Sequence, residues 1–217
     1  MLEKWILEIR GNADTYLSHT WKYQLSGNTV EFSVLRPFIK DKEAYRCAII
    51  AIGRVLKVLS EKIEGCSSHF LIQSFPTIEN PEIIASIRMV KNSYPDQKKV
   101  LPDENSENNT FEENLTYLTE FYQLKLERPD PSTMSKFGVD PNKMGIHKWH
   151  LITSKYDNPF TWLNVGYWQE SVVECYYKAD CESPEIIIDF CRLKKRAGKA
   201  VTSENDDMNP QVILAFN

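Results

Sequence analysis

The residues of this chain that could bind or react fall into a few small groups. Ser18, His19 and Thr20 lead into Trp21 along one polar loop, and Arg36 follows the next extended run. Lys194, Lys195, Arg196 and Lys199 form a basic stretch, and His147 and His150 flank Lys148 and Trp149. Arg36, Lys195 and Arg196 are candidates for a phosphate, which needs fixed cations or helix N-terminal amides. Each has a plainer use as well. His19 can be a surface loop histidine, Trp21 a core residue, Arg36 the partner of an acid, and the basic stretch a solvated helix end. His147 and His150 hint at a metal pair, but positions i and i+3 of a strand face opposite sides, and no third ligand is evident. No Ser/His/Asp order, glycine-rich phosphate loop or paired-carboxylate motif stands out, so any chemistry would have to come from a bound cofactor.

Composition narrows the classes. The chain has 217 residues, 42% of them hydrophobic and 12% aromatic, which is enough to bury a real core as one domain or one domain with an excursion. A net charge of -4 argues against a nucleic-acid-binding surface, which is normally basic. No run approaches the roughly 18 apolar residues of a membrane span. The first ten residues read as an amphipathic helix rather than a signal peptide, which makes the cytoplasm the expected setting. The five cysteines, Cys47, Cys66, Cys175, Cys181 and Cys191, are widely spaced without a C-x-x-C, so free thiols are expected.

These residues need elements to hold them. Periodicity predicts a helix from Leu2 to about Arg10, with a short turn over Asp14 to Leu17. Strands follow at Trp21–Leu25 and Thr29–Leu35, joined by a hairpin turn at Ser26-Gly27-Asn28. Asp41 is a plausible N-cap for a long helix, apolar nearly all round, that ends at Gly65. Strands are expected at 68–74 and 83–90. Asn92 to Thr110 is polar, and Phe111 to Leu126 regains helical periodicity; residues 92–146 read as a lid-like excursion on a single domain spanning 1–217. Further on, a strand over 147–154 precedes a second long helix, capped by Asp157 or Asn158 with Pro159 in its first turn and running to about Tyr177. A third helix is expected over Pro184–Leu193, and a closing strand over 210–216.

Three blocks in this order resemble the nitroreductase-like family of FMN flavoproteins, especially its dormancy-associated branch. Ser18-His19-Thr20-Trp21-Lys22-Tyr23 is similar to the family's N-x-Q-P-W-x-F loop and strand, followed by the hairpin and Arg36-Pro37. Asp41 to Arg46, then Ile52-Gly53, is similar to its D-P-x-x-R segment and I-x-x-G helix, and Ser74-Phe75-Pro76 continues the block. Leu151 to Gly166 is similar to its T-x-x-D-x-x-x-W-L-x-x-G helix start, and Asn209 to Phe216 to its closing P-Q-x-x-L-R-x-G strand. Together the blocks cover residues 16–90 and 148–217.

The resemblance implies an α+β fold with a mixed, mainly antiparallel sheet flanked by helices and two long central helices. It also implies a homodimer that builds two flavin sites. In that frame Ser18, His19, Thr20, Trp21, Arg36, Lys195 and Arg196 would contact FMN, and NAD(P)H would deliver hydride for a nitro- or quinone-like acceptor. The chain departs from the family where chemistry is concerned. The early arginine-rich segment is reduced to Arg10, the loop lacks the family's Asn and Gln-Pro, and Ala215-Phe216 stand where Arg and Gly are usual. Two functions are therefore expected in competition: an FMN-dependent oxidoreductase, or a divergent protein of the same fold that binds a small-molecule ligand or protein partner without redox turnover.

Overall fold

A computed structural model describes residues 1–77, 80–90, 110–136, 148–178, 186–189 and 208–216. The chain forms two compact units, Met1–Thr110 and Phe111–Asn217. The fold class is α+β. Every strand pairing among the described residues is antiparallel, and the strands divide into two four-stranded sheets where the resemblance implied one mixed sheet.

The first unit begins with α1 (Leu2–Gly11) and α2 (Ala13–Tyr16), then the hairpin β1 (Trp21–Ser26) and β2 (Thr29–Val34). Ser26 pairs with Thr29, leaving Gly27 and Asn28 as a two-residue turn. Gly27 has φ +60, a conformation that costs glycine nothing and lets the twist of the turn match that of the strands. A short turn α3 (Arg36–Ile39) leads to α4 (Lys42–Glu64), 23 residues long. Asp41 caps α4 as its type and place predict, accepting from the amides of Glu43 at 2.9 Å and Ala44 at 3.2 Å. After α4 come β3 (His69–Ser74) and β4 (Ile83–Val90), and the strand order is β1-β2-β4-β3.

One face of this sheet is apolar because its strands alternate. Val30, Phe32 and Val34 of β2 are fully buried, as are Ala85 and Ile87 of β4, which lie opposite Phe32 and Val30. Helix α4 packs on β2, β3 and β4 and also meets α1 and α2. That explains a helix buried on several sides: Ala48, Ile49, Ile52, Val55, Leu56, Leu59 and Ile63 have no exposed surface. The opposite face of the sheet carries Lys22, Gln24, Glu31, Ser33 and Arg88.

The second unit repeats this plan. Helix α5 (Phe111–Phe121) precedes β5 (Lys125–Glu127), α6 (Pro131–Lys136) and β6 (Lys148–Ser154). The 20-residue α7 (Pro159–Lys178) follows, then β7 (Ile186–Asp189) and β8 (Asn209–Phe216). The strand order is β5-β6-β8-β7, the order of the first unit with the numbers advanced. In each unit a helix precedes the first strand, the longest helix follows the second, and the last strand lies between the second and third.

Several expectations change here. Phe111–Phe121 and Lys125–Glu127 belong to the helix layer and sheet of the second unit, where a lid-like excursion of a single domain was expected. The predicted helix over 111–126 stops at Phe121, because Gln123 turns at φ 58 and the chain then extends into β5. The predicted helix over Pro184–Leu193 is strand β7 at Ile186–Asp189: three consecutive β-branched isoleucines pair with β8. Residues 91–109, 137–147 and 190–207 lie outside the described residues. No described helix is long and apolar enough to cross a membrane.

Candidate functional site

The predicted flavin loop closes on itself. Trp21 is 1% exposed, and its indole N–H donates to the Tyr16 carbonyl at 2.8 Å. Its ring meets Phe32 edge-on at 5.7 Å, and the Arg10 guanidinium lies 5.5 Å from it. Ser18 is buried and donates to the Arg10 carbonyl at 3.2 Å, while Thr20, also buried, donates to the Leu17 carbonyl at 2.7 Å. These groups staple α1, α2 and β1 together. His19 alone of the four points to solvent, edge-on to Phe38 at 6.0 Å.

Arg36 lies at the start of α3 and donates to Glu82 at 2.6 Å, with Lys22 4.0 Å from the same carboxylate. Its charge is thus matched by an acid. Lys195 and Arg196 lie outside the described residues. A flavin needs an aromatic or polar wall for its ring and an uncommitted cation for its phosphate. The described part of this loop does not fit that need: its indole is in the core, its hydroxyls are bonded to main chain, and its arginine is paired.

A different cluster forms in the second unit, on the β5–β6 edge beneath α5. Glu112, Leu115 and Thr116 of α5, Leu126 of β5, Arg128 and His150 line a cleft of about 160 Å³. The register explains the grouping. Leu126 pairs with Ile152 and Glu127 with Leu151, so continuing by one residue brings Arg128 opposite His150. Lys148, two residues before His150, shares its face of β6 and is ion-paired to Glu112.

His150 is 7% exposed, and its ring stacks on Phe216 of β8 with planes 11° apart and centroids 5.5 Å apart. Phe111 and Tyr176 pack edge-on to the same phenyl at 4.9 and 6.4 Å. The buried Nδ1 of His150 has no hydrogen-bond partner. Burial holds its pKa below the ordinary histidine value, and the Arg128 charge pushes it the same way; Glu112 opposes and Lys148 reinforces. The imidazole is therefore neutral at pH 7 and can donate at one nitrogen and accept at the other. Glu112 lies below the usual glutamate range because Lys148 hydrogen-bonds to it and neutralises it.

Such a cleft can hold a small polar group between a guanidinium and a neutral imidazole. At about 160 Å³ it is smaller than the roughly 300 Å³ at which pockets for drug-sized ligands begin, so it does not take a flavin ring system.

No protein-family model and no curated protein matches this sequence.

The cleft escapes a reading by motif. His150 is visible in sequence only as one half of a doubtful metal pair. The available signal was the alternation of Lys148 and His150 on one face of a strand whose centre is apolar. Glu112, Thr116 and Arg128 come from the stretch read as an excursion, and only the fold brings them to His150. Among the described residues no three His, Cys, Asp or Glu side chains gather as a metal site.

Proposed function

We propose that this chain is a binding protein, a divergent relative of the nitroreductase-like flavoproteins that takes a ligand or partner without redox turnover. The observation that carries this reading is the closure of the Ser18–Trp21 loop. Ser18, Thr20 and Trp21 spend their polar groups on the Arg10, Leu17 and Tyr16 carbonyls, and Arg36 on Glu82. Groups so engaged contribute to stability and leave little for a cofactor. The sequence blocks that carry the resemblance encode helix caps and buried strands, which specify packing more than chemistry. The same resemblance implies a homodimer, which sedimentation of the purified chain tests, and the helical reading of the first ten residues carries the cytoplasmic setting.

The deciding experiment is the visible absorbance spectrum of the purified protein before and after incubation with excess FMN and desalting. The binding reading expects a colourless protein that keeps no flavin. Retention of one FMN per chain would overturn it and restore the FMN-dependent oxidoreductase, with NAD(P)H oxidation as the next assay.

A further inference from the structure

We infer that the cleft between α5 and the β5–β6 edge is a binding site for a small organic monocarboxylate, its carboxylate held by Arg128 and His150 and its short apolar tail lying against Leu115 and Leu126. The inference rests on the non-redox binding reading and names the ligand class for it.

Four observations converge. First, His150 is more than nine-tenths buried, lines the cleft, and has a ring nitrogen without a partner. Buried polar side chains are nearly always hydrogen-bonded, so an imidazole on a cleft wall that makes no hydrogen bond has capacity left for a ligand atom. Second, Arg128 is exposed at the cleft and makes no ion pair with any described residue. Its fork of N–H donors matches the two oxygens of a carboxylate. Third, the acid on the rim is already occupied, since Glu112 is bound by Lys148. Its charge is offset, and it competes weakly for Arg128. Fourth, Leu115 and Leu126 supply an apolar wall, and the volume of about 160 Å³ admits a molecule of a few heavy atoms.

The charge count selects among anions. One unpaired cation beside a neutral imidazole balances a single negative charge. A phosphate dianion would face that one cation with the Glu112 carboxylate close by, and it would leave the two leucines without a contact.

The test follows the imidazole resonances of the full chain, labelled with carbon-13, as sodium butyrate is added at constant pH and ionic strength. Sodium chloride and inorganic phosphate serve as comparison titrants. The His150 signal is identified from its absence in H150Q or, if that variant fails to fold, by through-bond correlation along β6. The site predicts a saturable shift of the His150 signal with butyrate, weakened by an order of magnitude or more in R128Q, a change at an exposed position. A shift that grows without saturation, one that persists unchanged in R128Q, or one that phosphate reproduces with equal strength would overturn it. The two claims fail separately. FMN retention would sink the non-redox reading whatever butyrate does, and a colourless protein blind to butyrate would sink the carboxylate site alone.

Discussion

The indole N–H of Trp168 donates to the hydroxyl of Thr119 at 3.1 Å, joining α7 to α5 inside the second unit. Both residues are essentially unexposed, at 0% and 1%. The same hydroxyl donates to the Leu115 carbonyl at 2.6 Å, so it is satisfied from both sides. Replacing Thr119 by Val keeps the shape and removes the acceptor, which strands a buried indole N–H. A loss of about 1–3 kcal/mol is expected. Urea denaturation followed by tryptophan fluorescence measures it, and Thr119→Ser, which retains the acceptor, should recover most of the loss. Equal stability of the Val variant would show that the bond is dispensable.

Asp41 should matter out of proportion to its exposure. Its carboxylate accepts two amides at the start of the 23-residue α4, the helix against which the first sheet packs. Asp41→Ala is expected to cost about 0.5–2 kcal/mol, and Asp41→Ser much less. Thermal unfolding of both variants by circular dichroism compares them, and an Ala variant as stable as the Ser variant would refute the cap.

Arg36 is expected to be nearly silent. Its side chain is 84% exposed, so its pair with Glu82 is screened by water and is worth under about 1 kcal/mol. Arg36→Ala should therefore unfold at almost the same denaturant concentration as the parent, and raising the salt should shrink what difference there is. A large loss would mean that Arg36 holds something other than Glu82.

Stability should fall as the solution is acidified through the histidine range. The pKa of His150 in the folded chain lies below its ordinary 6.5, so the folded state binds fewer protons there than the unfolded state. The stabilisation is complete above pH 6.5 and is lost as pH falls below it. Glu112 has the same sign at lower pH, since its depressed carboxyl stabilises above the ordinary 4.5 and loses that contribution as pH falls through its folded value. Urea midpoints measured from about pH 7.5 down to about pH 5 should decline in the parent and decline less in H150Q. Parallel profiles would remove His150 from the account.

Much of the architecture was legible from local chemistry. The Asp41 cap, the Gly27 turn and the alternation of Val30, Phe32 and Val34 are short-range signals that residue type alone decides. Asn158 was equally visible as a cap, since its side chain accepts from the Thr161 amide at 3.0 Å, while its neighbour Asp157 accepts from the Trp162 indole at 2.7 Å. What local signals could not decide was competition. Ile186-Ile187-Ile188 can serve a buried helix or a strand, and the choice follows from β8 being there to pair with them. The break after Phe121 depends on one left-handed residue, Gln123, a position that usually advertises itself as Gly or Asn. The division into two units was hidden because strand order is not written in any single segment. The cleft was hidden for the same reason: Arg128 and His150 meet through a sheet register. The Ser18–Trp21 loop was found by pattern, but a pattern cannot say whether a hydroxyl faces a ligand or its own backbone.

In each sheet the strand made last lies inside the sheet: β4 between β2 and β3, and β8 between β6 and β7. On the ribosome this sets an order of events. The β1–β2 hairpin, marginal by itself, cannot acquire its neighbour until Ile83–Val90 has been translated. Once that strand arrives, the first sheet can close while residues from 111 onward are still being made, because its four strands all lie within the first unit. The second sheet then waits on Asn209–Phe216. A nascent chain stalled before residue 83 or before residue 209 would present an unpaired inner edge of β2 or β6, the kind of edge that recruits strands from other chains. Translation past each of these two strands is thus the point at which an open inner edge gives way to a paired one.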